Sequence, residues 1–180
     1  MTMTYDTDIK HGHINTDSGY TYGGYSASQT VHQRYLVRIP EGYPLECAGP
    51  IFCAAITMYS PLAHWKAKSG GLKVGIIGIG GLGQMGVRLA KAMGNEVTAI
   101  STSPNKEEAA RKIGADRFIV SSDPESMKTG ENSLDLILNT VSAQHQLNVY
   151  IPLLKRDGTL VQLGLVLSDH LVQQMPLMMK

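Results

Sequence analysis

With 180 residues the chain has room for one domain of ordinary size and an appendage, which excludes a complete large two-domain enzyme. Its 16 basic and 15 acidic residues leave a net charge of +1, too balanced and dispersed for a nucleic-acid surface or a polybasic membrane patch. Two cysteines, Cys47 and Cys53, match neither a zinc knuckle nor a redox CxxC pair. A polar N-terminus and apolar runs broken by glycine or polar residues predict a soluble, cytoplasmic chain that acts on small molecules and has no membrane segment.

Residues 1 to about 30 are poor in aliphatic side chains and predict irregular structure. From Tyr25 to Ile39 an alternation of apolar and polar residues predicts a strand, closed by Pro40 and Gly42. Pro44 to Trp65 carries apolar residues at helical spacing and predicts one or two helices interrupted at Pro50 and Pro61. Gly70-Gly71 breaks the chain before a new rhythm begins.

That rhythm opens with a strand, Val74 to Ile77, followed by Gly78-Ile-Gly80-Gly81-Leu82-Gly83 and an amphipathic helix. The order strand, glycine turn, helix is what a dinucleotide site needs. Gly78 lets the chain turn, Gly80 lets backbone approach a pyrophosphate, and Gly83 lets the helix pack closely on the strand. Gly78, Gly80, Gly81, Leu82 and Gly83 are therefore candidate cofactor-binding residues, with the helix N-terminus facing the phosphates. Leu82, Met85, Gly86, Leu89, Ala90 and Met93 mark the inner helix face, and Gly94 stands where a C-terminal cap belongs.

The second strand, Glu96 to Ile100, ends in Ser101-Thr-Ser-Pro-Asn-Lys106. No acid stands where a carboxylate would bind the 2′-hydroxyl of NAD. Hydroxyls at Ser101, Thr102 and Ser103 with the Lys106 ammonium suit a 2′-phosphate instead, which favours NADP(H). The same residues also read structurally, with Ser103 as a helix cap, Pro104 as the first helical residue and Gly114 as a stop. Lys106 and Arg111 remain open between phosphate partners and solvated charges.

Further on, the pattern predicts a helix over Lys106–Ile113, a strand over Arg117–Ser121, a short helix at Pro124–Lys128, a strand over Leu134–Asn139, a helix over Ala143–Leu154 and a strand over Thr159–Leu163. Such alternation predicts an α/β fold, a doubly wound parallel Rossmann sheet with about five of six strands. The fifth strand would be an edge, needing cover from the methionine-rich tail Leu165–Lys180 or from a second subunit. Thr140 and Val141 at the end of the fourth strand, and Leu163 and Gly164 at the end of the fifth, fall at the carboxyl edge where ligands bind such sheets. They read equally as simple strand ends.

Several stretches together resemble the zinc-dependent medium-chain alcohol dehydrogenases, in their cinnamyl alcohol dehydrogenase branch. They are Tyr22-Gly-Gly-Tyr-Ser26, Arg34-Tyr-Leu-Val-Arg-Ile-Pro40, Phe52-Cys-Ala-Ala-Ile-Thr-Met-Tyr-Ser-Pro-Leu62, His64-Trp65, the glycine turn, Ser101-Thr-Ser-Pro104, Gly114-Ala-Asp116, Asn139-Thr-Val-Ser-Ala143 and Leu154-Lys-Arg-Asp-Gly158. The resemblance implies NADP(H)-dependent hydride transfer between nicotinamide and a primary alcohol or aldehyde. It also implies that Cys53 is one of three protein ligands of a catalytic zinc, and that Thr57 lies near the nicotinamide with a catalytic role. The motifs that carry the family's other two zinc ligands, and its structural zinc lobe, are not found in the sequence. His11 and His13, in a glycine-containing segment, have no preset convergence to replace them.

The chain thus resembles a central fragment truncated at both ends. Residues 1–45 would be a remnant of the β-rich catalytic domain, 46–72 a linking helical segment and 73–180 an incomplete NADP-binding Rossmann domain. A second reading is a non-catalytic NADP(H)-binding module that self-associates or meets a complementary fragment. A third, an S-adenosylmethionine-binding domain, shares the glycine turn but usually places an acid at the end of the second strand.

Overall fold

A computed structural model describes residues 5–8, 20–22, 27–28, 30–167 and 169–178. The chain divides into two compact units, Met1–Gly42 and Tyr43–Lys180. In the first, β1 (Tyr5–Asp8) pairs antiparallel with β2 (Tyr20–Tyr22). The strand expected over Tyr25–Ile39 is corrected where it is described. Gln33–Tyr35 is a 3-10 turn capped by His32 Nδ1, which accepts from the Arg34 amide at 3.2 Å. Its apolar residues are exposed, Tyr35 by 83% and Val37 by 69%. Alternation makes a strand only where a neighbour supplies the ladder, and among the described residues none pairs with this segment.

The second unit is built on a five-stranded parallel sheet in the order β5-β4-β3-β6-β7. The strands are β3 (Lys73–Ile77), β4 (Glu96–Ser101), β5 (Arg117–Val120), β6 (Leu134–Asn139) and β7 (Leu154–Gln162). The doubly wound α/β expectation holds. Because both faces are covered, the central strands are apolar at successive positions. Val74, Ile76, Leu136 and Leu138 pack on one face with Met58, Leu62, Val87 and Ala90, while Ile77, Ile100, Ile137 and Leu153 pack on the other.

Helix α1 (Ala48–Pro50) runs through a π-helical turn (Ile51–Ala55) into α2 (Ile56–His64) without the expected breaks at Pro50 and Pro61. The helical stretch Leu45–His64 is, by length and composition, long and apolar enough to cross a membrane. The expectation that every apolar run falls short of a span is corrected on that count. One face nevertheless acts as core: Met58 and Leu62 are fully buried, and Met58 Cε lies where a Cβ on Gly86 would be. α3 (Gly81–Ala92) is followed by Met93 and by Gly94 at φ +82°, the left-handed position a C-terminal glycine favours.

α4 (Glu107–Lys112) and α5 (Pro124–Lys128) link the outer strands, and Asp123 caps α5 by accepting from the Glu125 amide. The helix expected over Ala143–Leu154 is replaced by two 3-10 turns, Leu147–Val149 and Ile151–Leu153. The cause is tertiary. The carbonyls of Pro152 and Leu153 accept from the amides of Asn132 and Ser133 ahead of β6, so this backbone is drawn alongside that loop. β7 also begins earlier than expected, with an irregular register after Leu154 and Asp157 at φ +61°. In the tail, Leu171 and Gln173 bond Asn148, ahead of α6 (Gln174–Met178).

Two carboxylates tie the amino-terminal ends of the strands. Asp116 Oδ2 accepts from the Val97 amide at 2.8 Å while Oδ1 meets the Lys91 ammonium. Asp135 does the same with the Lys73 amide and the Lys155 ammonium, at 2.8 and 2.7 Å. Partial desolvation alone would raise both carboxyls, but the hydrogen bonds and nearby lysines outweigh it and hold both below the ordinary carboxylate value. A folded-state value below the unfolded one contributes stability that is fully present above the unfolded value, about pH 3.9. That stability is lost as pH falls through the depressed one. Circular dichroism melts are therefore expected to hold level from pH 7 to about 5 and to drop below about pH 4. Asp116→Asn and Asp135→Asn should each lower the midpoint at pH 7 and flatten part of the acid drop.

Candidate cofactor site

The site lies where strand order reverses. β3 and β6 are adjacent, their crossovers leave in opposite directions, and the crevice between them opens at the carboxyl ends. After Ile77 the chain turns at Gly78, whose φ of +86° is in the region only glycine adopts freely. Its amide is held by the Ile100 carbonyl at 2.9 Å, which fixes the turn to β4.

The glycines of the turn divide into two kinds. A Cβ on Gly83 would collide with the Gly78 carbonyl, and one on Gly78 would press on Val141 Cγ2 and Thr140 Oγ1 at 2.8 and 3.0 Å. These two exist for packing. A Cβ on Gly80 or Gly81 would meet nothing within 4 Å. That open space lies over the first turn of α3, whose amides have no intrahelical acceptors and whose dipole favours an anion. Leu82 is half-buried and packs on the core, so its side chain is structural.

At the end of β4, Ser101 is 6% exposed and its hydroxyl accepts from the Ser103 amide at 3.2 Å. The turn so formed presents Thr102 and Ser103. Ser103 precedes the 3-10 turn Pro104–Lys106 as the expected cap residue, but its side chain makes no capping bond. Lys106 reaches back across the crevice, with Nζ 3.3 Å from the Ile79 carbonyl inside the glycine turn. Arg111, which the sequence left open, is committed elsewhere: it bonds Glu107 and the Asp116 carbonyl at 2.9 and 3.0 Å.

The opposite wall is made by the ends of β6 and β7. Thr140 Oγ1 lies 2.8 Å from the Ile77 carbonyl and 2.9 Å from that of Gly78. Leu163 and Gly164 donate to the Asn139 carbonyl at 2.8 and 3.0 Å. A Cβ on Gly164 would enter the Val141 carbonyl, so this glycine serves the approach of two backbones. The structure thus brings Gly78, Gly80, Gly81, Gly83, Ser101, Lys106, Thr140, Val141, Leu163 and Gly164 to one edge of the sheet.

A family profile described as zinc-binding dehydrogenase matches residues 81–180. The chain belongs to the zinc-binding dehydrogenase family. It is 49% identical over 154 residues to a probable cinnamyl alcohol dehydrogenase of Populus deltoides, covering 85% of this chain and 43% of that protein. It is 48% identical over 165 residues to NADP-dependent alcohol dehydrogenase C 1 of Mycolicibacterium smegmatis, covering 92% and 47%. Among solved structures, a cinnamyl alcohol dehydrogenase from Sorghum bicolor superposes with a TM-score of 0.90 at 40% identity, covering 98% of this chain and 49% of that one. The Helicobacter pylori cinnamyl alcohol dehydrogenase complexed with NADP(H) gives 0.78 at 35% identity, covering 91% and 44%. The chain therefore spans about half the length of the curated relatives it matches.

Cys53 and Thr57, the residues marked by the resemblance, lie apart from the glycine turn in the chain but on the helix that packs against α3. Cys53 is exposed on the π-helical turn, a distortion frequent at functional positions. The Thr57 hydroxyl donates to the Cys53 carbonyl at 2.8 Å, so its hydrogen is held by its own helix. A catalytic zinc takes three protein ligands. Among the described residues no three His, Cys, Asp or Glu side chains converge, so these residues by themselves do not fit that metal. His11 and His13 lie outside the described residues.

Asn139, His145 and Gln162 form a network behind the wall that sequence reasoning missed. The one signal was an asparagine ending a strand after Leu136, Ile137 and Leu138, where a buried amide must find partners.

Proposed function

We propose that the chain is the nucleotide-binding part of a zinc-family oxidoreductase that interconverts primary alcohols and aldehydes with NADP(H). The observation that carries this reading is the pairing of an open glycine cradle at the α3 N-terminus with a lysine drawn to the same turn. In it, the amides of Gly81, Leu82 and Gly83 hold the pyrophosphate, with Gly80 allowing its approach. Ser101, Thr102, Ser103 and Lys106 form the end of the crevice that takes the 2′-phosphate, hydroxyls donating and the ammonium neutralising. Thr140, Val141, Leu163 and Gly164 wall the nicotinamide side and exclude water from it. Thr57 orients the ring from the facing helix. When bound, the cofactor supplies the hydride acceptor or donor.

Relatives named for cinnamyl alcohol and for NADP support the cofactor and an aldehyde or alcohol substrate class. The reading carries with it a cytoplasmic setting, and residues 1–45 as a remnant of the catalytic domain ahead of a linker at 46–72. A second reading, a non-catalytic NADP(H)-binding module, is favoured by the lack of partners for Cys53 among the described residues. Titration of the purified chain with NADPH and NADH, followed by nicotinamide fluorescence, tests the shared part. NADPH is expected to bind tightly and NADH weakly, and no binding of either would overturn both readings. Reduction of an aromatic aldehyde, with zinc measured on the same sample, separates them: turnover supports the first, and binding without turnover the second.

A further inference from the structure

The buried end of β6 carries a chain of hydrogen bonds whose direction the backbone sets. The Val141 amide donates to Asn139 Oδ1 at 3.2 Å. A backbone amide only donates, so the Asn139 side chain is oriented with its nitrogen pointing away from Val141. That nitrogen has two hydrogens and two acceptors, Gln162 Oε1 at 2.6 Å and His145 Nε2 at 2.7 Å. Gln162 passes the direction on by donating from Nε2 to the Gly164 carbonyl at 2.7 Å. An imidazole nitrogen that accepts carries no proton, so His145 keeps its one proton on Nδ1, which lies 2.7 Å from the Ala143 carbonyl. Every bond in the chain is satisfied only when His145 is neutral and in this tautomer.

The same strand end holds the crevice together. The Asn139 carbonyl receives the Leu163 and Gly164 amides, and the next residue, Thr140, is bound to the glycine turn. We infer that His145 is a positioning residue for the cofactor crevice. Neutral, it locks the Asn139 amide and with it the walls at Thr140–Val141 and Leu163–Gly164. Protonated, it sets an N–H against the Asn139 N–H and releases them. The inference rests on the proposal that this crevice takes NADP(H).

Imidazole is the side chain that changes charge between about pH 5 and 8. Two other titratable groups face the His145 ring: His170, with ring centroids 5.0 Å apart, and Tyr150 at 6.1 Å. His170 Nδ1 lies 3.2 Å from the His145 carbonyl, while its buried Nε2 has no hydrogen-bond partner among the described residues. A proton on His170 would place a second positive charge beside His145 without altering the Asn139 bond.

The test compares the wild-type chain with His145→Gln and His170→Gln. A glutamine at 145 offers an oxygen that accepts from Asn139 at every pH. NADPH affinity of the wild type is expected to fall by up to about tenfold relative to His145→Gln between pH 8 and 5.5, the upper size of effect that one lost hydrogen bond carries. The cofactor's own phosphate titrates in both proteins and cancels in the ratio. His170→Gln should keep the wild-type profile. In parallel, amide exchange without cofactor, corrected for intrinsic rates, should show Leu163 and Gly164 losing protection at pH 5.5 in the wild type alone. Identical profiles for wild type and His145→Gln, or a flat profile in His170→Gln, would overturn the inference. No NADPH binding by any form at pH 8 would fail the cofactor proposal, while the exchange measurement still decides on His145. Should the glutamine variant not fold, constant wild-type protection from pH 8 to 5.5 overturns it alone.

Discussion

Gly83→Ala is expected to destabilise the chain by about 3 kcal/mol or more and to abolish NADPH binding, whereas Gly80→Ala, three residues earlier, should leave stability unchanged and weaken binding only. The two glycines belong to one motif but answer to different constraints. A Cβ at Gly83 meets the Gly78 carbonyl, with Thr140 Oγ1 at 3.3 Å, and neither the turn nor the helix has a flexible side chain to give way. Relief requires moving α3 off the strand, which opens the core around Val87 and Ala90. At Gly80 a Cβ meets nothing within 4 Å and the backbone, at φ −98°, is one that alanine adopts readily. Only a ligand lying on the turn would feel the added methyl group. Thermal melts and NADPH titrations on both variants check this. Equal loss of stability in the two would contradict the division of the turn into a packing half and a cradle half, and unchanged binding in a stable Gly80→Ala would remove the pyrophosphate from it.

Lys106→Glu is expected to weaken NADPH by on the order of 100-fold while changing NADH little, from the loss of a charge-assisted bond and the gain of a repelling carboxylate. Lys106 is on the surface and its stem packs on no core cluster, so stability should move by less than about 0.5 kcal/mol. Its Nζ is nonetheless drawn to the Ile79 carbonyl at the mouth of the crevice, beside the hydroxyls that follow β4. Arg111 serves as the control. It is held by Glu107 and the Asp116 carbonyl, so Arg111→Gln should lower helix stability slightly and leave the ratio of NADPH to NADH affinity unchanged. A ratio that drops with Arg111→Gln and not with Lys106→Glu would move the phosphate to the other side of α4.

The legible parts of this protein are those decided by neighbours in the chain. Gly78 and Gly83 announce the turn because a positive φ and a close approach leave no other residue type. The strands β3, β4 and β6 announce themselves by apolar residues at successive positions in their middles, because parallel strands are covered on both faces. The missing acid after β4 is equally local, and Lys106 Nζ lies by the Ile79 carbonyl of the glycine turn.

Elsewhere, local pattern and three-dimensional outcome part company. Leu147, Tyr150, Ile151 and Leu154 carry a helical spacing, yet the loop before β6 claims the carbonyls of Pro152 and Leu153, and the segment settles as two 3-10 turns. Tyr25–Ile39 alternates as a strand does, but alternation states only which side chains suit a sheet and cannot supply the sheet. Pro61 reads as a break and is carried inside α2, buried like Met58 and Leu62. The direction of the Asn139 amide, and so the protonation state demanded of His145, depends on Val141, Gln162 and Gly164 at once. The sequence by itself determined the glycine turn, the parallel α/β rhythm and the basic, acid-free end of β4, because backbone sterics and solvent exposure act within a few residues. Only the tertiary structure decided which glycines pack and which leave open space, what became of Ala143–Leu154, and how His145 is tied to the end of β6, because each of these is a hydrogen bond or a collision between segments far apart in the chain.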